Sequence, residues 1–135
     1  MSQDVPDDLI TAPIAAAFFD RSFLWHYRAR VERVIDGDTF VALVDLGFRA
    51  AAMPHIRIHD VYAPELHTPE GPLAMMKLAR AFADAELWWD WPLRIISLQR
   101  ETVVAEVTSF ERWVADVFVV QHDGALTNVT EVLNG

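Results

Sequence analysis

Five charged side chains in this sequence have the types and spacing to do chemistry. Asp36-Gly37-Asp38-Thr39 sets two carboxylates around one glycine, and Arg57 sits inside the apolar run Ile56-Arg57-Ile58. Glu65 directly follows Pro64, and Arg112 stands at the head of Trp113-Val114-Ala115. A charged group in a strand position costs free energy unless a partner or ligand balances it. Carboxylate oxygens select hard cations such as Ca²⁺ or Mg²⁺ over zinc. A planar guanidinium grips phosphate through paired hydrogen bonds. Together they suggest a metal-assisted phosphate site.

The elements that must position these groups follow from period and punctuation. Tyr27, Ala29 and Val31 alternate with Arg28, Arg30 and Glu32, the period of a half-buried strand reaching Ile35. Asp36-Gly37 is a strong hairpin signal. Phe40, Ala42, Val44 and Leu46 alternate onward as a second strand, and Gly47 permits another turn. A third strand is expected over 50–61, with Pro54 marking a bulge or an exposed edge. After the loop 63–71, Pro72 suits the first turn of a helix, with Glu70 near its positive end. Ala74, Leu78, Ala81, Phe82, Ala85 and Trp89 form that helix's apolar stripe, and Pro92 stops it. Leu93–Leu98 and Trp113–Val120 are the fourth and fifth strands, and 103–107 is a strand or loop arm. Asn128 with Glu131 resembles a capping box opening a short last helix. A short helix is also expected over Thr11–Phe19, with Pro13 in its first turn. Five short strands with a helix after the third point to an α+β, mainly β protein, a small five-stranded, closed or partly closed antiparallel barrel of the oligonucleotide-binding type.

Composition narrows the classes. A chain of 135 residues with a 53% apolar share supports one packed domain. There is no cysteine, which excludes disulfides and thiolate metal sites. The start lacks the basic and apolar regions of a signal peptide, and no apolar run approaches the ~20 residues of a membrane span. No membrane partner is therefore expected, and the cytoplasm is the expected compartment. Eleven basic against twenty acidic residues give a net charge of −9, a field that repels polyanions. Phosphate binding then needs a local focus of positive charge, part of it from a divalent cation.

From about Ala29 to Gly135 the chain resembles the staphylococcal nuclease (thermonuclease) family. The likeness rests on Ile35-Asp36-Gly37-Asp38-Thr39, on Arg57 through Ala63-Pro64-Glu65, on Gly71-Pro72, and on Arg112-Trp113-Val114-Ala115-Asp116. It implies residues 23–135 as a nuclease-like oligonucleotide-binding domain and residues 1–22 as an extension with a short helix. It also implies a Ca²⁺-dependent endonuclease, Mg²⁺ being the alternative cation, acting on DNA or RNA. By position, Asp38 matches a metal-binding aspartate and Ala63 a backbone metal ligand. Arg57 and Arg112 match the two phosphate arginines, and Glu65 matches the general base. The short, cysteine-free form suits a bacterial or phage protein.

The chain departs from the family at two places. Tyr62 stands where the family has a second metal aspartate, and a neutral phenol is a poor ligand for a hard dication. Asp60, two residues earlier on the same expected strand face, and Asp36 are the further candidates to compensate. The family's last helix has no counterpart before Gly135, so Ile10–Phe19 or a second copy is expected over the surface it would cover. These departures carry the alternative reading, a nuclease-like barrel that no longer cuts and serves as a nucleic-acid- or protein-binding module. His55, Arg57 and His59 share one face by strand period, but no further ligand joins them into a transition-metal set. Trp88, Trp89 and Trp91 read as core or a helix-end cluster. Tyr62 and Trp113 have the rings to stack on a base, core packing being the simpler role for Trp113.

Overall fold

The computed structural model describes residues 25–98 and 112–135. The helix expected over 11–19 and the arm expected over 103–107 lie outside these residues. The described chain runs β1 (His26–Asp36), β2 (Thr39–Gly47), β3 (Ala50–Ala52), β4 (His55–Ile58), α1 (Gly71–Trp88), β5 (Leu93–Ser97), β6 (Arg112–Val120), β7 (Leu126–Asn128) and α2 (Val129–Asn134).

Five of these strands close on themselves. β1 pairs β2, β2 pairs β4, β4 pairs β6, β6 pairs β5, and β5 returns to β1. Closure leaves the ring without a free edge. β3 and β7 extend it as short appendages on β2 and β6. The result is the expected mainly β, α+β architecture, with one difference in strand sense: β4 and β6 run parallel. A parallel pair needs a long crossover, and here α1 and β5 lie within it.

The single third strand expected over 50–61 is broken into β3 and β4. The break falls at Met53-Pro54, where the Pro54 carbonyl still accepts the Ala42 N–H at 3.1 Å. β4 then ends at Ile58, so Asp60 and Tyr62 do not share a strand face. Asp60 instead takes a left-handed backbone, φ 63°.

Alternation in the strands builds the interior. Ala29, Phe40, Ala42, Val44, Ile56, Ile58, Leu93, Ile95, Ala115 and Val117 are all buried. Leu78, Phe82 and Ala85 of α1 join the same cluster, and Val129 of α2 adds to it. Phe40 and Phe82 meet edge to face at 4.9 Å, a contact worth about 0.5–1.5 kcal/mol beyond its buried area. Leu46, expected to continue the alternation, is half exposed because β2 has by then left the barrel and pairs only with β3. Trp89 lies past the end of α1 in extended backbone, not on its buried stripe.

The two hairpins divide their geometry in an unexpected way. Neither Gly37 nor Asp38, the loop between Asp36 and Thr39, has a left-handed φ. The loop between the paired residues Gly47 and Ala50 is Phe48-Arg49, with φ 52° and 62°. Those signs are those of a type I′ turn, which favours Asn and Gly. A left-handed backbone costs an ordinary L-residue roughly 1–2 kcal/mol, and here a phenylalanine and an arginine both bear it.

Gly37 is needed for space. A Cβ built there would lie 2.5 Å from Ala63 Cβ and 2.6 Å from Ala74 Cβ. Gly37→Ala should therefore force the turn off the loop and α1, and destabilise by about 1–3 kcal/mol. Urea unfolding checks this; a midpoint equal to the parent's would refute the close approach.

Candidate metal and phosphate site

Asp38 is held from several directions. Its carbonyl accepts the Ile58 N–H at 2.9 Å, which ties the β1–β2 turn to the end of β4. Its carboxylate accepts the Thr39 hydroxyl at 2.9 Å and the Ala63 N–H at 3.3 Å. Its own N–H donates to Asp36 at 3.1 Å. Thr39 is almost fully buried, so the hydroxyl that fixes the carboxylate is itself fixed.

Arg57 arrives from β4, where it is in register with Thr39 on one side and Val114 on the other. Its guanidinium donates to the Ile58 and Val61 carbonyls at 3.3 and 3.2 Å. It also lies 3.7 Å from the Asp38 carboxylate. That separation is loose for an ion pair, so the carbonyls aim the side chain and Asp38 supplies the field. The Tyr62 ring lies 5.3 Å from the guanidinium carbon, within cation–π range.

Asp36 and Asp38 titrate as a pair. Burial pushes Asp36 up, and the adjacent Asp38 raises it further through a shared hydrogen bond and its charge. Burial also opposes the charge on Asp38. Hydrogen bonds from the Asp36 side chain, the Ala63 N–H and the Thr39 hydroxyl, with the Arg57 charge, outweigh it and hold Asp38 below the ordinary value. Asp38 is thus the carboxylate that carries charge, while Asp36 keeps a proton more readily.

The remaining expected residues stand in different relations to this centre. The Glu65 carboxylate is exposed and pairs with His67 at 3.3 Å. Its backbone, by contrast, is fixed: the Glu65 carbonyl accepts the Thr68 N–H at 3.0 Å and the Thr68 hydroxyl at 2.6 Å. Asp60 is turned away, its carboxylate 3.5 Å from His59 and its carbonyl accepting from Asn134. Arg112 opens β6 opposite His55, and its side chain lies outside the described residues. The tryptophans have different partners among the described residues. Trp88 packs on His122, Trp89 donates to the Gln121 carbonyl, and Trp91 lies under Arg28 and Arg30.

Sequence reasoning missed two things here. The carbonyls of Ile58 and Val61 that aim Arg57 have no side-chain signature. The contact of His59 with Asp116 at 3.1 Å joins β6 to the turn after β4, and the pairing of the Arg57 and Arg112 segments was the available hint. Among the described residues no group of three or more His, Cys, Asp or Glu gathers in metal-binding array. The oxygen donors near one another are Asp36, Asp38 and the backbone around Ala63. They are chemically suited to a hard cation, with one firm charge among them. No protein-family model and no curated protein matches the chain. Among the described residues no helix is long and apolar enough to cross a membrane.

The opposed titration of the two aspartates has a measurable sign. A raised folded-state pKa gives Asp36 a stabilising contribution below its ordinary value of 3.8, lost as pH rises through the raised value. Asparagine keeps the acceptor for Asp38 N–H and imitates the protonated acid. In chelator, Asp36→Asn should match the parent in thermal midpoint near pH 3.5 and exceed it at pH 7. An Asn variant less stable than the parent at pH 7 would contradict this account of the pair.

Proposed function

We propose that this protein hydrolyses phosphodiester bonds of DNA or RNA with the help of a divalent cation. The observation that carries the reading is the placement of Arg57, aimed by two carbonyls and standing beside the charged Asp38. A guanidinium so held presents its remaining donors without reorganisation, the condition for stabilising charge on a phosphoryl group. Arg112, opening the strand parallel to that of Arg57, is the second such donor in this reading. Asp38, with Asp36 and the Ala63 carbonyl, would hold Ca²⁺ or Mg²⁺, which when bound supplies further positive charge at the phosphate. The water oxygen bonds to phosphorus, its proton passes to Glu65, and the bond to the leaving sugar oxygen breaks. Glu65 suits this role because its backbone is anchored while its carboxylate is exposed, with His67 beside it at 3.3 Å.

A second reading has its own observation. Tyr62 lays its ring toward the Arg57 guanidinium and is 80% exposed. An exposed ring beside a fixed cation suits holding a base and its phosphate without cutting. In that case the barrel is a binding module.

Single-stranded DNA incubated with Ca²⁺, and with chelator, separates the two. The nuclease reading expects nicking that chelator abolishes. It also expects Arg57→Ala to lose about 10²–10³-fold in rate, the usual cost of removing one charge-stabilising donor, and Glu65→Ala to lose about 10²–10⁴-fold. Cutting that resists chelator, or full activity in both variants, would overturn it. Tight binding without cutting by the parent would favour the module.

A further inference from the structure

The tip of the β2–β3 hairpin is unaccounted for by the site around Arg57. Phe48 is fully exposed, at 105% of its reference surface, and Arg49 beside it is exposed too. Neither makes a hydrogen bond, ion pair or ring contact among the described residues. Both hold the left-handed backbone that this two-residue loop imposes. Local preference would put Asn and Gly there, so a ring and a guanidinium occupy the tip against it. Strained positions of this kind concentrate where a ligand is met.

The tip is also braced. The Asp45 carboxylate accepts the Gly47 N–H at 2.9 Å through one oxygen and Arg28 Nε at 2.7 Å through the other. The brace fixes the end of β2 to β1, so Phe48 and Arg49 project from a held base.

We propose that this tip is a docking point for single-stranded nucleic acid, with a base stacked on Phe48 and a phosphate on Arg49. The inference rests on the nucleic-acid reading of the Arg57 site and adds to it a strand-shaped substrate. A protein partner is a poorer fit. A stable interface takes about 800 Å² from each side, and beside Phe48 this hairpin exposes the side chains of Leu46 and Met53 with the small Ala50 and Ala51 between them, too little for that area. One base needs one ring face, and one phosphate needs one free cation. Arg49 has no acidic partner among the described residues, so its charge is open to a phosphate. β2 begins beside Asp38 and ends at the tip, eight residues after its start. At ~3.3 Å per residue the two ends stand about 26 Å apart, so only an oligonucleotide several units long reaches both.

Length dependence is the test. Fluorescence anisotropy with a labelled 12-nucleotide single strand, and with a dinucleotide, is compared for the parent, Phe48→Asn and Arg49→Ala. Asparagine suits the loop, so Phe48→Asn should keep or raise the thermal midpoint. The proposal expects each variant to bind the 12-mer about tenfold more weakly and the dinucleotide as the parent does. Unchanged 12-mer affinity in Phe48→Asn overturns it, as does equal weakening on both lengths or no 12-mer binding by the parent. Unchanged 12-mer affinity with lost self-association in sedimentation, or with lost binding to lipid vesicles, would assign the tip to a second copy or a bilayer instead. A parent that binds the 12-mer through the tip but never cuts it refutes the nuclease reading and leaves the docking point standing.

Discussion

The candidate site depends on how closely the β1–β2 turn presses against the rest of the chain at Gly37. A methyl group there would overlap both Ala63 and Ala74. Because none is present, the turn can sit on the loop and the helix at once. That contact lets the Ala63 N–H reach the Asp38 carboxylate, and β4 then delivers Arg57 beside it. Two small alanines on the receiving side complete the fit. The chemistry is therefore downstream of a packing constraint: three segments distant in sequence converge because one residue has no side chain.

Charge is distributed on the same economical plan. The chain carries nearly twice as many acids as bases, yet three of the described arginines stand at defined places. Arg57 is half-buried among carbonyls, and Arg28 and Arg30 flank the Trp91 ring at 4.6 and 4.2 Å. Arg28 also spans to Asp45 and so steadies the hairpin end. A uniform basic surface would hold polyanions broadly and with steep salt dependence. Isolated, oriented guanidiniums favour contacts at a few points along a strand.

Much of the barrel was legible because alternation is a strong signal. Tyr27, Ala29 and Val31 face inward to different depths, and Phe40, Ala42 and Val44 are buried, as their period requires. The Asn128 cap is real, its side chain accepting the Thr130 N–H. Other features failed for identifiable reasons. The third strand broke at Pro54 because that residue has no N–H to give to a ladder, and only its carbonyl stayed in the pairing. Asp36-Gly37 signalled a hairpin correctly but for the wrong cause, since the glycine provides clearance and not a left-handed φ. The turn after β2 was signalled by Gly47, which has φ 84°, but its type was not, because Phe48 and Arg49 are residues that such a turn disfavours. In the candidate site, Asp38 and Arg57 were readable as motif residues. The carbonyls that aim Arg57 and the outward turn of Asp60 are backbone events, which residue type does not encode.

β2 joins two kinds of local cost. Just before its start a half-buried carboxylate keeps its charge because the Asp36 side chain, an N–H, a hydroxyl and a guanidinium surround it. At its end two side chains hold a backbone they would not choose, with no partner among the described residues to compensate. A protein of ordinary stability has only about 5–15 kcal/mol to spend in total, so neither cost is trivial. The first is offset within the fold, and it leaves Arg57 fixed with donors unused. The second has no internal offset among the described residues. An uncompensated cost at an exposed tip is the kind that binding, and not folding, would maintain. The same strand thus joins a carboxylate whose cost the fold offsets to a tip whose cost it does not.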